Sequence, residues 1–233
     1  MSGVKDGCRI FALGPPRSNV VFHGNVNRPK SQRNPRRLQF LTSAVNLQGC
    51  PADGILEVAI VGRSNAGKSS LINAWAGARI AQVSSTPGKT RLLNFYQGPS
   101  YRLVDMPGYG FAARSGDELR RWREMIETFL AARGNLVGLL LVMDVRRDWS
   151  DDEANLLEWM KPRRLPTAVI LTKADKLSRS AGLNRVREIK KQSGLENVML
   201  ASALKKTGVV EIENFVFENW VKPEMERRKV GGS

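Results

Sequence analysis

The 233-residue sequence predicts an α/β domain, a mostly parallel six-stranded sheet with helices on both faces. Three observations carry the prediction. Six apolar stretches recur at 55–61, 92–96, 101–104, 137–143, 167–171 and 198–200. Helix-period patterns lie between most of them. The run Val137-Gly-Leu-Leu-Leu-Val-Met143 is nearly continuous in apolar residues, as a strand buried on both faces must be.

The elements follow in chain order. Residues 1–38 read as a basic, disordered N-terminal extension, because Pro15, Pro16, Pro29 and Pro35 interrupt any period and Phe11, Val20, Val21 and Phe22 are too sparse for a core. A domain spans 39–222, and 223–233 reads as a flexible C-terminal tail. Within the domain, Leu119, Trp122, Met125, Ile126, Phe129 and Leu130 share one helical face. Leu156, Leu157 and Met160 repeat that logic, as do Val186 with Ile189, and then Ile212, Phe215, Val216 and Trp220. Trp75, Trp122, Trp159 and Trp220 fall on such faces, so core packing is the better reading for them than base stacking.

Composition narrows the class. Hydrophobic content of 42% and charged content of 25% are those of an ordinary globular protein. No apolar run reaches the ~18–20 residues of a membrane span, and no secretory h-region follows Met1, so a bacterial cytoplasm is expected. Cys8 and Cys50 are too few for a disulfide framework or metal cluster and read as reduced thiols. The lone His23 gives no basis for catalysis. The net charge of +15 points to polyanionic partners. Residues 1–40 hold eight basic side chains against the single acid Asp6, a net of +7.

The chemistry is densest at Gly62, Arg63, Ser64, Asn65, Ala66, Gly67, Lys68 and Ser69. A strand precedes this Gly-bounded loop and a helix begins at Ser70, which is the context a phosphate-binding loop requires. Glycines admit close backbone approach, and the helix N-terminus favours negative charge. Lys68 is expected to reach the β- and γ-phosphates and Ser69 to ligate Mg²⁺. Asp105-Met106-Pro107-Gly108 ends a strand 37 residues after Lys68. There Asp105 is placed to hold Mg²⁺ through water, and the Gly108 N–H to meet the γ-phosphate. Between them, Ser84, Ser85, Thr86, Pro87, Gly88, Lys89, Thr90 and Arg91 form a polar stretch that can offer a second Mg²⁺ hydroxyl. Thr90 is the choice, with Ser84, Ser85 and Thr86 as competitors.

Thr172-Lys173-Ala174-Asp175 follows another buried strand. A carboxylate at Asp175 can accept from guanine N1–H and the exocyclic amine together, a donor pair adenine lacks. The Lys173 stem can pack over the base. Ser202-Ala203-Leu204 follows the last strand, where the Ala203 N–H can donate to guanine O6. Four such segments in this order favour GTP over ATP.

These residues resemble the EngB (YihA/YsxC) family of bacterial ribosome-biogenesis GTPases, over about residues 38–220. The likeness rests on Gly62-Arg-Ser-Asn-Ala-Gly-Lys-Ser-Ser-Leu-Ile-Asn73, Pro87-Gly-Lys-Thr90 with Asn94-Phe-Tyr96, and Asp105-Met-Pro-Gly-Tyr-Gly-Phe-Ala112. Trp122, Asp144-Val-Arg146 and Ser202-Ala-Leu-Lys-Lys-Thr-Gly208 add to it. Ala66 stands where that family often has Val, and residues 1–38 are longer than its usual leader. The resemblance implies a Ras-like P-loop G domain, a monomer, GTP or GDP with Mg²⁺ as ligands, and large ribosomal subunit or precursor rRNA as partner. It also associates the chain with division and septation.

Many GTPases place a water-orienting glutamine after Asp-x-x-Gly, and here that position is Tyr109. Slow intrinsic hydrolysis is therefore expected, with Lys68, Thr90, Gly108 and Asn65 as the catalytic candidates. Asn65 resembles the asparagine that potassium-stimulated GTPases use on a K⁺ ion; the bland alternative is a loop asparagine in a tight turn. A guanine-nucleotide-dependent RNA-binding module with negligible turnover is the competing function. A G domain driving tRNA modification would need a further catalytic domain, which residues 1–40 are too short and polar to supply.

Overall fold

The computed structural model describes residues 38–82, 92–109 and 116–231, excluding the side chains of 116–119 and 121. Expectations for residues 1–37, for Ser84, Ser85, Thr86, Gly88, Lys89 and Thr90, and for 110–112 lie outside the described residues.

The sheet has seven strands: β1 (Gln39–Ala44), β2 (Glu57–Gly62), β3 (Leu93–Gln97), β4 (Arg102–Asp105), β5 (Leu136–Asp144), β6 (Thr167–Thr172) and β7 (Val198–Leu200). The helices are α1 (Lys68–Ala76), α2 (Gly116–Ala132), α3 (Asp151–Met160), α4 (Arg179–Ser193), α5 (Val209–Val216) and α6 (Lys222–Val230). One sheet takes the order β1-β3-β4-β2-β5-β6-β7. Parallel pairing runs from β4 through β2, β5 and β6 to β7, while β3 is antiparallel to both β4 and β1. Two expectations are corrected. The sheet has seven strands rather than six, because β1 adds an edge. The tail expected over 223–233 is helical to Val230, continuing α5 through a π-helical turn at Phe217–Val221. Pro223 sits in the first turn of α6, directly after the π-helical turn.

The period of two in the strands divides the core into two layers. Ala59, Val61, Leu139, Leu141 and Met143 face α2, α3 and α4, meeting Trp122, Ile126, Phe129, Leu156 and Ile189. Val58, Ile60, Leu140 and Val142 face α1 and α5, meeting Leu71, Ile72, Trp75, Ile212 and Val216. Trp75, Trp122 and Trp220 are buried, in accord with the core reading. Trp159 is half-buried, with the Arg123 guanidinium 4.3 Å above its ring. Glu57 opens β2 fully buried, and the Arg133 guanidinium clamps it with both arms, one at 2.9 Å. Removing one partner of such a pair typically costs ~3–5 kcal/mol. Among the described residues no helix is long and apolar enough to cross a membrane.

Trp220 packs flat on the bare backbone of Gly138 in β5. A Cβ there would lie 2.1 Å from Trp220 Cε3 and 2.6 Å from Cδ2, so the indole ring itself would have to move. Gly138→Ala should therefore destabilise the fold by about 1–3 kcal/mol, read as a lower urea midpoint with an unchanged slope. An unchanged midpoint would show that the ring can shift freely.

Candidate functional site

Parallel pairing brings the C-terminal ends of β4, β2, β5 and β6 into one row, so Asp105, Gly62, Asp144 and Thr172 line a single crevice. The loop 63–67 connects β2 to α1. Gly67 has φ +99°, and a Cβ there would lie 3.1 Å from Thr172 Oγ1, so conformation and space both require glycine. The chain commits part of the loop internally. The Ser64 N–H donates to Tyr109 O at 3.0 Å, and the Ala66 N–H to Arg63 O at 3.1 Å. Arg63 pairs with Asp152 at 3.0 Å. The start of α1 stays available to an anion, since the N–H groups of Lys68, Ser69 and Ser70 precede the first intrahelical bond, from Leu71 to Gly67. Of the expected phosphate donors, Ser64 and Ala66 are thus bound to protein, and Gly67 to Ser70 keep the role open.

The Lys68 ammonium is buried, donates to Gly62 O at 3.2 Å, and has its proton affinity lowered by burial while Asp105 works the other way. Asp105 is 4% exposed. Burial pushes its carboxyl up to about 6 against the pull of Lys68. Its Oδ1 is buried and has no hydrogen-bond partner among the described residues. A buried carboxylate oxygen so placed, within electrostatic reach of Lys68, suits a hard cation that keeps waters and shares substrate phosphates. The residues present therefore fit Mg²⁺. The other members of this turn divide their roles. Met106 is buried in the core and spends its N–H on Ile60 O at 2.9 Å, while Pro107 O accepts from Trp122 Nε1 at 2.8 Å. Gly108 passes so close to the loop that a Cβ would lie 2.9 Å from the Ser64 nitrogen.

The third part of the site is tied to the first. Thr172 Oγ1 donates to Ala66 O and lies 2.9 Å from Met143 O. Lys173 Nζ sits 2.9 Å from Asn65 O and 2.9 Å from Asp144 Oδ2. Asp144 also takes the Arg146 guanidinium at 2.7 and 3.0 Å. Burial would raise the Asp144 carboxyl, but the hydrogen bonds from Arg146 and Lys173 outweigh it and hold it well below the ordinary range. Asp175 Oδ1 accepts from Ser202 Oγ at 2.5 Å, which lowers its proton affinity and fixes the carboxylate plane. The Ala174 N–H donates to Ala201 O at 3.0 Å, joining the two segments. Ser202 pairs with Thr207 through both backbone bonds and its hydroxyl accepts from the Lys205 N–H, none of which uses the Ala203 N–H. Leu204 is 73% exposed.

Asn65 has φ +64° and is exposed, with its carbonyl held by Lys173. Two groups of the site went unassigned from sequence. Asp144 anchors Lys173, and Glu153 on α3 accepts the Tyr109 hydroxyl at 2.8 Å. Ser150-x-x-Glu153 is a capping box at the start of α3, a spacing that marks Glu153 as a helix-start residue but carries no sign of its second partner.

Residues 57–173 match the family described as 50S ribosome-binding GTPase. A protein named "Probable GTP-binding protein EngB" from Bdellovibrio bacteriovorus is 58% identical over 189 residues, covering 81% of this chain and 94% of its own. One of the same name from Azoarcus sp. is 45% identical over 195 residues, covering 81% and 93%. The crystal structure of a probable GTP-binding protein engB shares the fold, with TM-score 0.59 and 22% identity over 70% of this chain and 97% of that one. Era from Aquifex aeolicus bound to GDP.AlF4- aligns with TM-score 0.60 and 26% identity, over 70% and 56%.

Asp105 carries a stability signature. Its folded-state pKa rises from 3.8 to about 6, so between those values the unfolded chain binds fewer protons than the folded one. Stability from this group therefore falls as pH rises through that window. In nucleotide-free, Mg²⁺-free buffer at pH 7, Asp105→Asn should stabilise the protein by up to about 3 kcal/mol. Urea unfolding at pH 7 and pH 4 checks this, and the gain should vanish at the lower pH.

Proposed function

The chain belongs to the EngB family of GTP-binding proteins, and on that premise we propose that it is a slow GTPase switch serving assembly of the large ribosomal subunit in the bacterial cytoplasm, with linked effects on cell division. The observation that carries the nucleotide part is the junction of the phosphate loop and the guanine-reading segment through Lys173, Asn65 and Thr172. In this reading the α1 N-terminus and Lys68 bind the β- and γ-phosphates, and Asp175 reads the guanine edge with both oxygens. Ser69 and Thr90 would hold Mg²⁺, with Asp105 holding it through water. Bound Mg²⁺ would neutralise phosphate charge and orient the terminal group.

Slow hydrolysis follows from Tyr109. Its side chain is 3% exposed and its hydroxyl is bonded to Glu153, so it neither reaches an attacking water nor mimics a glutamine amide. The expected intrinsic rate is on the order of 10⁻⁴ s⁻¹, that of unassisted Ras, with acceleration by the ribosomal partner. The partner reading is supported by the description of the matched family, by the +15 charge, and by exposed basic side chains such as Arg179, Arg187 and Lys191 on α4.

Two measurements test this reading. Cosedimentation with large ribosomal subunits should be strong with a non-hydrolysable GTP analogue and weak with GDP; equal retention would reject the switch. Turnover by the isolated protein near 1 s⁻¹ would reject partner-assisted hydrolysis and return a catalytic group to the site.

The K⁺ reading draws support from Asn65, whose amide stays exposed at the loop while its carbonyl is tied down. Hydrolysis should then run faster in K⁺ than in Na⁺ at equal ionic strength. Equal rates would leave Asn65 a turn residue.

A further inference from the structure

We infer that Tyr109 and Glu153 are positioning residues, which hold the Gly108 backbone where a terminal phosphate must meet it and so make the site prefer the triphosphate. The inference rests on the guanine-nucleotide reading above and assigns the γ-phosphate discrimination within that site. It begins with direction. Position 109 is where a side chain facing the nucleotide is expected, yet the phenol ring turns into the core. Its centroid lies 5.7 Å from that of Trp122, and its hydroxyl donates to Glu153 Oε1 at 2.8 Å.

The backbone on either side of Gly108 is then gripped, at the Pro107 carbonyl before it and the Tyr109 carbonyl after it. On the loop side, Tyr109 O accepts the Ser64 N–H at 3.0 Å, and Arg63 and Tyr109 form an isolated parallel bridge. On the helix side, the phenol is fastened to α3, and Trp122 Nε1 fixes the preceding carbonyl at 2.8 Å. Gly108 lies between these grips with no lateral room, since even a Cβ would meet Ser64 at 2.9 Å.

Glu153 is a firm anchor. It is 1% exposed, and its second oxygen accepts the Ser150 N–H at 3.0 Å together with the Ser150 hydroxyl. The carboxylate cannot swing toward another partner without uncapping α3. Arg63 and Asp152, 3.0 Å apart, tie the same helix start to the phosphate loop a second time. A hydrogen bond to a buried carboxylate is among the strongest a protein forms. Loosening it releases a turn that a γ-phosphate is expected to meet and a diphosphate is not.

The isosteric Tyr109→Phe variant tests this, with affinities for GDP and a non-hydrolysable GTP analogue measured by calorimetry beside the melting temperature. The analogue should bind about tenfold more weakly while GDP stays within about twofold, a difference the size of one charged hydrogen bond. Glu153→Gln combined with Tyr109→Phe should lower the GTP-to-GDP preference no further than Tyr109→Phe alone, because both act through one bond. Equal weakening of both nucleotides would mark a purely structural contact and overturn the inference, as would an unchanged preference or additive effects. A wild-type protein that binds neither guanine nucleotide would instead overturn the nucleotide reading itself, and the inference with it.

Discussion

Parallel pairing of β2 with β4 and β5 is the constraint on which the rest of the molecule depends. Val58 to Ile60 pair with Leu103 to Asp105 on one side and with Gly138 to Leu140 on the other. A shift of one residue would turn Ile60 and Val61 to the wrong layers and carry Asp105 away from the end of β2. The two apolar layers therefore lock the register, and the register in turn aligns a glycine loop, a buried acid and an anchored lysine along one edge. Burial in this protein has two products, stability in the layers and alignment at their rim.

At that rim, backbone and side chain share the holding of the loops. Asn65 and Lys173 both adopt positive φ, at 64° and 56°, conformations that typically cost non-glycine residues ~1–3 kcal/mol. The bond from Lys173 Nζ to Asn65 O joins these two strained residues to each other, and Asp144 fixes the same ammonium from below. The strain persists because neighbouring contacts over-determine it. The site is thereby shaped by the protein before any ligand contributes.

Much of this was legible in the sequence, for identifiable reasons. The phosphate loop, Asp105 and the Thr172–Asp175 segment were found because each is a short motif whose chemistry depends on residue type and on a strand just before it. Of the other six strands, β2, β5 and β6 were found because burial on both faces writes a continuous apolar run, and β3, β4 and β7 because shorter apolar stretches recur at the same spacing. β1 was not, because it is an edge strand: Phe40 is 51% exposed and Leu41 44%, and only pairing with β3, some fifty residues on, makes it a strand. The last helix was hidden behind Pro223, which reads as a stop until the preceding turn is seen to feed it. Glu153 and Asp144 were hidden because an acid after a strand or at a helix start suggests solvent, and their partners lie far away in sequence. Long-range polar bonds leave no local signature.

The strand order also describes how the chain can assemble as it is made. Once β2 and β4 are paired, β5, β6 and β7 join the same open edge one after another, in the order in which synthesis delivers them. Each new strand meets a finished template, which shortens the exposure of unpaired edges. The N-terminus of α1 can therefore be in place before Thr172 and Lys173 arrive to tie down the phosphate loop. Ser202, which orients the guanine-reading carboxylate, arrives only after β7. A partly synthesised chain can thus present an anion-binding turn long before it can tell one nucleobase from another, and selectivity is the last property the newborn molecule acquires.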